Sequence, residues 1–93
     1  MFTILIEKKA EKFLKKLPLK SRHIIVERIL ELKANPFPGE NKEKLFCSRP
    51  PDVYRLHISR SYTVFYIIDI YNNIVKVEKI MTIDGAHKDY SHL

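Results

Sequence analysis

Val53-Tyr54-Arg55-Leu56-His57-Ile58-Ser59 alternates without a break. Val53, Arg55, His57 and Ser59 fall on one side, and Tyr54, Leu56 and Ile58 on the other. A period of two predicts a strand with one apolar, buried face. Tyr62-Thr63-Val64-Phe65-Tyr66-Ile67-Ile68-Asp69 follows with almost no polar residue, which predicts a central strand. Tyr71-Asn72-Asn73 is the turn after it, because Asn tolerates positive φ. Ile74 to Thr82 reads as the last strand. Connections this short predict an antiparallel meander. Lys44 to Cys47 is a candidate short strand ahead of it, which gives the meander three or four strands.

Upstream of these strands the period changes. Phe2 to Ile6 is short, apolar and rich in β-formers, and predicts a strand buried on both faces. Between Glu7 and Leu17, Ala10, Phe13, Leu14 and Leu17 fall at i, i+3, i+4 and i+7, the stripe of a helix. Pro18 interrupts that stripe. It can also sit in the first turn of a second helix, where its missing N–H is not needed, although Ser21 is an alternative N-cap. Ile25, Ile29 and Leu32, widened by Val26 and Leu30, carry the second helix to about Ala34. Asn35-Pro36-Phe37-Pro38-Gly39 stops it. With so short a link the two helices form an antiparallel hairpin. The order strand, helix, helix, strands is that of an α+β fold with the helices on one face of the sheet. The opposite face is the natural place for a site.

A chain of 93 residues is expected to form one domain over 1–93, too small to enclose a large cofactor and keep a core. Apolar residues at 45% and charged residues at 30% exclude a disordered or collagen-like chain. The net charge of +6 favours a polyanionic partner. Residues 1–33 hold nine Lys or Arg against four Glu, so most of that charge lies on the helical hairpin. It reads either as a solvated outer face or as a docking surface for RNA. A single cysteine, Cys47, allows no internal disulfide and suits the cytoplasm. Six apolar residues at the N-terminus are too few for a signal-peptide core. No stretch approaches the roughly 20 apolar residues of a membrane span, so no membrane partner is expected.

Arg55 and His57 are the residues most suited to chemistry. Two apart on a strand, they point the same way, about 7 Å apart along the backbone. A guanidinium can hold a phosphate bidentately. An imidazole can move a proton near neutral pH. His87 lies in a polar tail that gives it no packing role, and reads either as a second proton carrier or as a solvated residue. His23 and His92 read as incidental. A metal site from His57, His87 and Asp89 matches no familiar zinc spacing. Cys47 reads as a small buried thiol. No Gly-rich loop is present to cradle a nucleotide, and no cofactor or metal is expected.

In its order of elements the chain resembles the RelE/ParE superfamily of toxins from type II toxin–antitoxin systems. The resemblance is carried by Lys15-Lys16-Leu17-Pro18 between the helices and Asn35-Pro36 after them. Tyr54-Arg55-Leu56-His57-Ile58, Tyr62-Thr63-Val64-Phe65-Tyr66 and Asp69 follow in register with it. Gly85-Ala86-His87-Lys88-Asp89 is similar to the ending of the YafQ-like branch, where one catalytic His lies in this segment and another on the strand of His57. Thr63 stands where many members carry Arg. The resemblance implies a ribosome-dependent mRNA endonuclease, silenced by a cognate antitoxin. It implies His57, His87 and Arg55 as catalytic residues, with Arg60, Lys88, Lys44 and Tyr90 as RNA and phosphate contacts. Metal-free cleavage through the 2′-OH needs a base, an acid and positive charge on the phosphate, which two His and one Arg can supply. A ParE-like gyrase inhibitor that acts by binding alone, or an inactive homologue, is the implied alternative.

Overall fold

The computed structural model describes residues 1–45 and 49–83. Its elements run β1 (Thr3–Ile6), α1 (Lys8–Lys15), α2 (Leu19–Leu30), a 3-10 turn (Glu31–Lys33), β2 (Lys42–Lys44), β3 (Tyr54–Ile58), β4 (Tyr62–Asp69) and β5 (Ile74–Thr82). The five strands form one sheet in the order β1-β5-β4-β3-β2. β2 to β5 are an antiparallel meander, while β1 joins parallel to β5 after the chain has crossed over through the helices. The α+β class, the helical pair and the central position of β4 agree with the sequence reading.

One face of the sheet is covered by the helices. Ala10 and Leu14 of α1, and Ile25 and Ile29 of α2, pack with Leu56, Ile58, Val64, Tyr66, Val75, Val77 and Ile80. Burying such side chains contributes about 1.5–3 kcal/mol each, so this layer is what holds the fold together. Tyr66 is fully buried and donates its hydroxyl to the Pro36 carbonyl at 2.7 Å. That bond pins the Pro-rich segment after α2 to the middle of the sheet and satisfies a hydroxyl that burial would otherwise leave unpaired. Burial, and then the neighbouring Tyr54, pushes the Tyr66 phenol well above its ordinary value.

Pro18 takes the N-cap position of α2, and Leu19 is the first helical residue. Ser21 therefore lies inside the helix. The last carbonyls of a helix lack their full set of helical donors, and at the end of α1 the Leu17 N–H reaches only the Leu14 carbonyl, at 3.1 Å. Arg22 of α2 adds donors here, from Nε to the Leu14 carbonyl at 3.0 Å and from Nη2 to the Lys15 carbonyl at 3.1 Å and, in the link beyond the helix, to that of Leu17 at 3.2 Å. The guanidinium also places positive charge at the negative end of the α1 dipole.

Three features differ from the sequence reading. β1 is an edge strand, not one buried on both faces: Ile4 and Ile6 pack against the core, but Thr3 is exposed and Leu5 is 49% exposed. The helices cover one face only, so alternate residues of β1 meet solvent. The short strand β2 starts at Lys42, two residues before the expected Lys44, and Phe46 and Cys47 lie outside the described residues. The third concerns the face opposite the helices, which is not wholly open. Leu45 and Phe65 form a second small cluster there with Val53 and Met81, because Leu45 and Val53 extend the pairing of β2 with β3, the Leu45 N–H bonding the Val53 carbonyl at 2.8 Å, and so share the face of Arg55.

Candidate active site

The turn Gly39-Glu40-Asn41-Lys42 sets the edge of the site. Gly39 and Lys42 exchange both backbone hydrogen bonds, at 3.0 and 3.1 Å, and Asn41 adopts φ 63°. Asn accepts that left-handed conformation more readily than most residues. The Asn41 carbonyl then accepts the His57 backbone N–H at 2.8 Å. This fixes the register of β2 on β3, with Lys42 opposite Leu56, Glu43 opposite Arg55 and Lys44 opposite Tyr54.

Residues opposite one another in an antiparallel pair share a face. Arg55 and His57 therefore lie on the side away from the helices, as the alternation predicts, and Glu43 joins them. The next strand adds Thr63, opposite His57, and Phe65, opposite Arg55. Beyond Thr63 lies Met81 on β5. Thr63 is buried at 2% exposure, and Phe65 belongs to the small apolar cluster. The candidate residues thus stand beside Thr63 and Phe65, with Met81 beyond, on one platform partly shielded from solvent.

This setting determines the electrostatics. Burial, and then the positive charge of Arg55, holds the His57 imidazole below its ordinary value. Its neutral form dominates at pH 7, which suits a proton acceptor. The Arg55 guanidinium is ion-paired through Nη2 with the Glu43 carboxylate. The Arg55 side chain is 20% exposed and that of Glu43 is 49% exposed, so the guanidinium is the inner partner and the carboxylate forms the outer lip.

The other expected contacts do not all converge here. Lys44 shares the face of Tyr54, across the sheet from Arg55, and is ion-paired with Asp52 at 3.2 Å. Arg60 is exposed in the turn between β3 and β4, where Ser59 has φ 46° and the Ser61 N–H bonds back to the Ile58 carbonyl at 3.3 Å. His87, Lys88, Asp89 and Tyr90 lie outside the described residues. So does His92, while His23 Nε2 lies 3.1 Å from the Glu27 carboxylate on the exposed side of α2. Asp69 lies at the far end of β4. It accepts hydrogen bonds from the Asn72 backbone and side chain at 3.1 and 2.8 Å, which keep its carboxyl below the usual range and close the turn to β5. No group of three or more His, Cys, Asp or Glu able to hold a metal occurs among the described residues. No helix among them is long and apolar enough to cross a membrane.

Sequence reasoning missed Glu43. Glu43 precedes the expected strand Lys44 to Cys47, and only the register set at Asn41 places it against Arg55.

Comparison with known proteins gives the family and the fold. Residues 4–89 match the family model described as the ParE toxin of a type II toxin–antitoxin system, parDE. The chain is 32% identical over 88 residues to a Methanocaldococcus jannaschii protein that carries the toxin name RelE1, covering 95% of this chain and 97% of that protein. A chain of the archaeal RelE–RelB complex from Pyrococcus horikoshii OT3 superposes with a TM-score of 0.74 at 25% identity, covering 87% of this chain and 93% of that one. The isolated RelE toxin of E. coli superposes over 100% of both chains with a TM-score of 0.70, and at 18% identity this likeness concerns the fold. The chain belongs to the ParE toxin family of type II toxin–antitoxin systems, within the RelE/ParE superfamily.

Proposed function

We propose that this toxin is a ribosome-dependent mRNA endonuclease of the cytoplasm, held inactive by a cognate antitoxin. The observation that carries this reading is the pairing of Arg55 with a His57 kept in its neutral form, side by side on the face of β3 away from the helices. In the reaction His57 takes the proton of the ribose 2′-OH. The 2′-oxygen attacks the adjacent phosphorus, and the bond from phosphorus to the 5′-oxygen breaks. An acid, for which His87 is the candidate, returns a proton to that leaving oxygen. Arg55 offsets the charge that accumulates on the phosphate. The products are a 2′,3′-cyclic phosphate and a 5′-hydroxyl, and no metal or cofactor takes part. The lysines of the helical hairpin add a salt-dependent attraction to the ribosome. The complex of RelE with RelB in the P. horikoshii relative supports an antitoxin as the physiological partner.

Primer extension on ribosome-bound mRNA after induction of the toxin tests the reading. Discrete new 5′ ends are expected, and their disappearance on co-expression of the antitoxin. An induced, growth-inhibiting toxin that leaves mRNA intact would sink it. The match to a ParE model favours a second reading, inhibition of DNA gyrase by binding alone. That reading requires loss of supercoiling by purified gyrase when the toxin is added, with full potency retained in His57→Ala.

A further inference from the structure

We propose that Glu43 is an internal competitor for the RNA phosphate at Arg55, a carboxylate latch that the substrate must displace. The inference rests on the nuclease reading above, because it needs Arg55 to bind phosphate. Glu43 and Arg55 are register partners on adjacent strands, so the backbone itself holds the two charges together. Their ion pair lies on the same face as His57. Glu43 is the more exposed of the two and forms the solvent side of the pair. An anion approaching Arg55 from solvent therefore meets a carboxylate first. It is repelled until it takes over the guanidinium.

A carboxylate and a phosphodiester offer the same planar fork the same kind of oxygen pair, so exchange between them needs no change in the geometry of Arg55. Lys44, the other expected phosphate contact on β2 and β3, also carries an acidic neighbour in Asp52. Arg55 on one face and Lys44 on the other are thus each paired with a carboxylate, while the net charge of +6 resides mainly on the helical hairpin. The consequence is a division of labour. The hairpin attracts polyanions in general, and the platform admits a phosphate only where surrounding contacts hold the RNA long enough for it to replace Glu43.

The test is binding of a short 2′-O-methyl oligoribonucleotide, which cannot be cleaved. It uses the full chain, Glu43→Gln, Arg55→Ala and the double variant. Glu43→Gln is nearly isosteric and lies on an exposed edge strand. It should bind about two- to fivefold more tightly, the scale of one exposed ion pair. That gain should vanish in the Arg55→Ala background. Equal or weaker binding by Glu43→Gln overturns the latch, and so does a gain that survives without Arg55. If the parent chain and Arg55→Ala bind alike, the phosphate assignment of Arg55 falls as well, and the nuclease reading with it. If Arg55→Ala weakens binding but Glu43→Gln changes nothing, only the latch is lost. A second readout uses the unmodified chain. The Glu43 carboxylate resonance should shift as the oligoribonucleotide is added, and a resonance that stays fixed through saturation overturns the proposal.

Discussion

The two faces of the sheet are built from the same strands and answer to different physics. On the helix-covered face, Leu56, Ile58, Val64, Tyr66, Val75 and Val77 are almost wholly buried against α1 and α2. On the other face, Arg55, His57 and Glu43 stand beside Thr63, Phe65 and Met81 and are only partly exposed. Neighbouring residues of β3 therefore have opposite duties. Leu56 and Ile58 fix where the strand lies, and Arg55 and His57 are thereby held at a set spacing without contributing to the core. A toxin domain with so few residues has no separate scaffold for a site, so one strand must serve both layers. Its alternation makes the two separable by mutation.

The largest effect is expected on the chemical side. His57→Ala should lower mRNA cleavage by about 10²–10⁴-fold, the usual contribution of a general acid or base. Its unfolding midpoint in urea should shift by no more than about 1 kcal/mol. On the buried side, Ile58→Ala should destabilise the chain by about 2–5 kcal/mol, since it removes a fully buried side chain and leaves a cavity. Residual cleavage per folded Ile58→Ala molecule should stay near normal. A cleavage defect in Ile58→Ala larger than its folded fraction explains, or a stability loss in His57→Ala as large as that of Ile58→Ala, would break the separation of the faces.

Arg22 offers a smaller test from the helical side. Its guanidinium bonds the Leu14 and Lys15 carbonyls at the end of α1 and the Leu17 carbonyl in the link that follows. Hydrogen bonds from a charged donor to carbonyls are worth more than neutral ones, though partial exposure and the Leu17 N–H that the Leu14 carbonyl also accepts reduce the effect here. Arg22→Ala should cost about 1–2 kcal/mol in a urea titration, and cleavage of a substrate already bound should be unchanged. Arg22→Lys should recover only part of the loss, because an ammonium cannot span three carbonyls as the fork does.

The buried face was legible in the sequence because burial imposes a period, and a period can be read without knowing neighbours. Tyr54, Leu56 and Ile58 announce their side by alternation, and Ala10 and Leu14 by helical spacing. The other face was legible only in part. Arg55 and His57 follow from β3 alone, but Glu43 and Thr63 enter from β2 and β4. Their positions depend on registers fixed elsewhere, at the left-handed Asn41 in one case. The bulge in β5 is a similar case. Its pairing jumps from Lys79 to Val77 opposite Phe65 and Tyr66, which lets Val75, Val77 and Ile80 all reach the core. Simple alternation would have sent Ile80 to the other side. β1 misled for a related reason. A short apolar run has the same composition at an edge as at the centre of a sheet, and the difference lies in which strand lies beside it.

The smallest effect, and the one most specific to the candidate site, is the pH response of His57. Its imidazole is held below the ordinary value first by burial and second by the Arg55 charge. The unfolded chain therefore binds this proton more tightly than the folded one. As pH falls through about 6.5, the unfolded state protonates first, so the contribution of His57 to stability is fully present above that pH. It declines through the window down to the folded pKa and is constant below it. His57→Gln should remove this part of the acid slope of stability and leave the rest. The same depression keeps the base form available to lower pH, so the acid limb of the cleavage profile should lie below the value for a free imidazole. Arg55→Gln removes the second cause and keeps the first. The His57 resonance should then titrate at a higher pH than in the parent chain, yet still below about 6.5. A midpoint that does not move would mean that the Arg55 charge does not reach His57. A parent midpoint at or above the ordinary value would mean that the platform does not desolvate the imidazole, and the contrast between the two faces would then rest on packing alone.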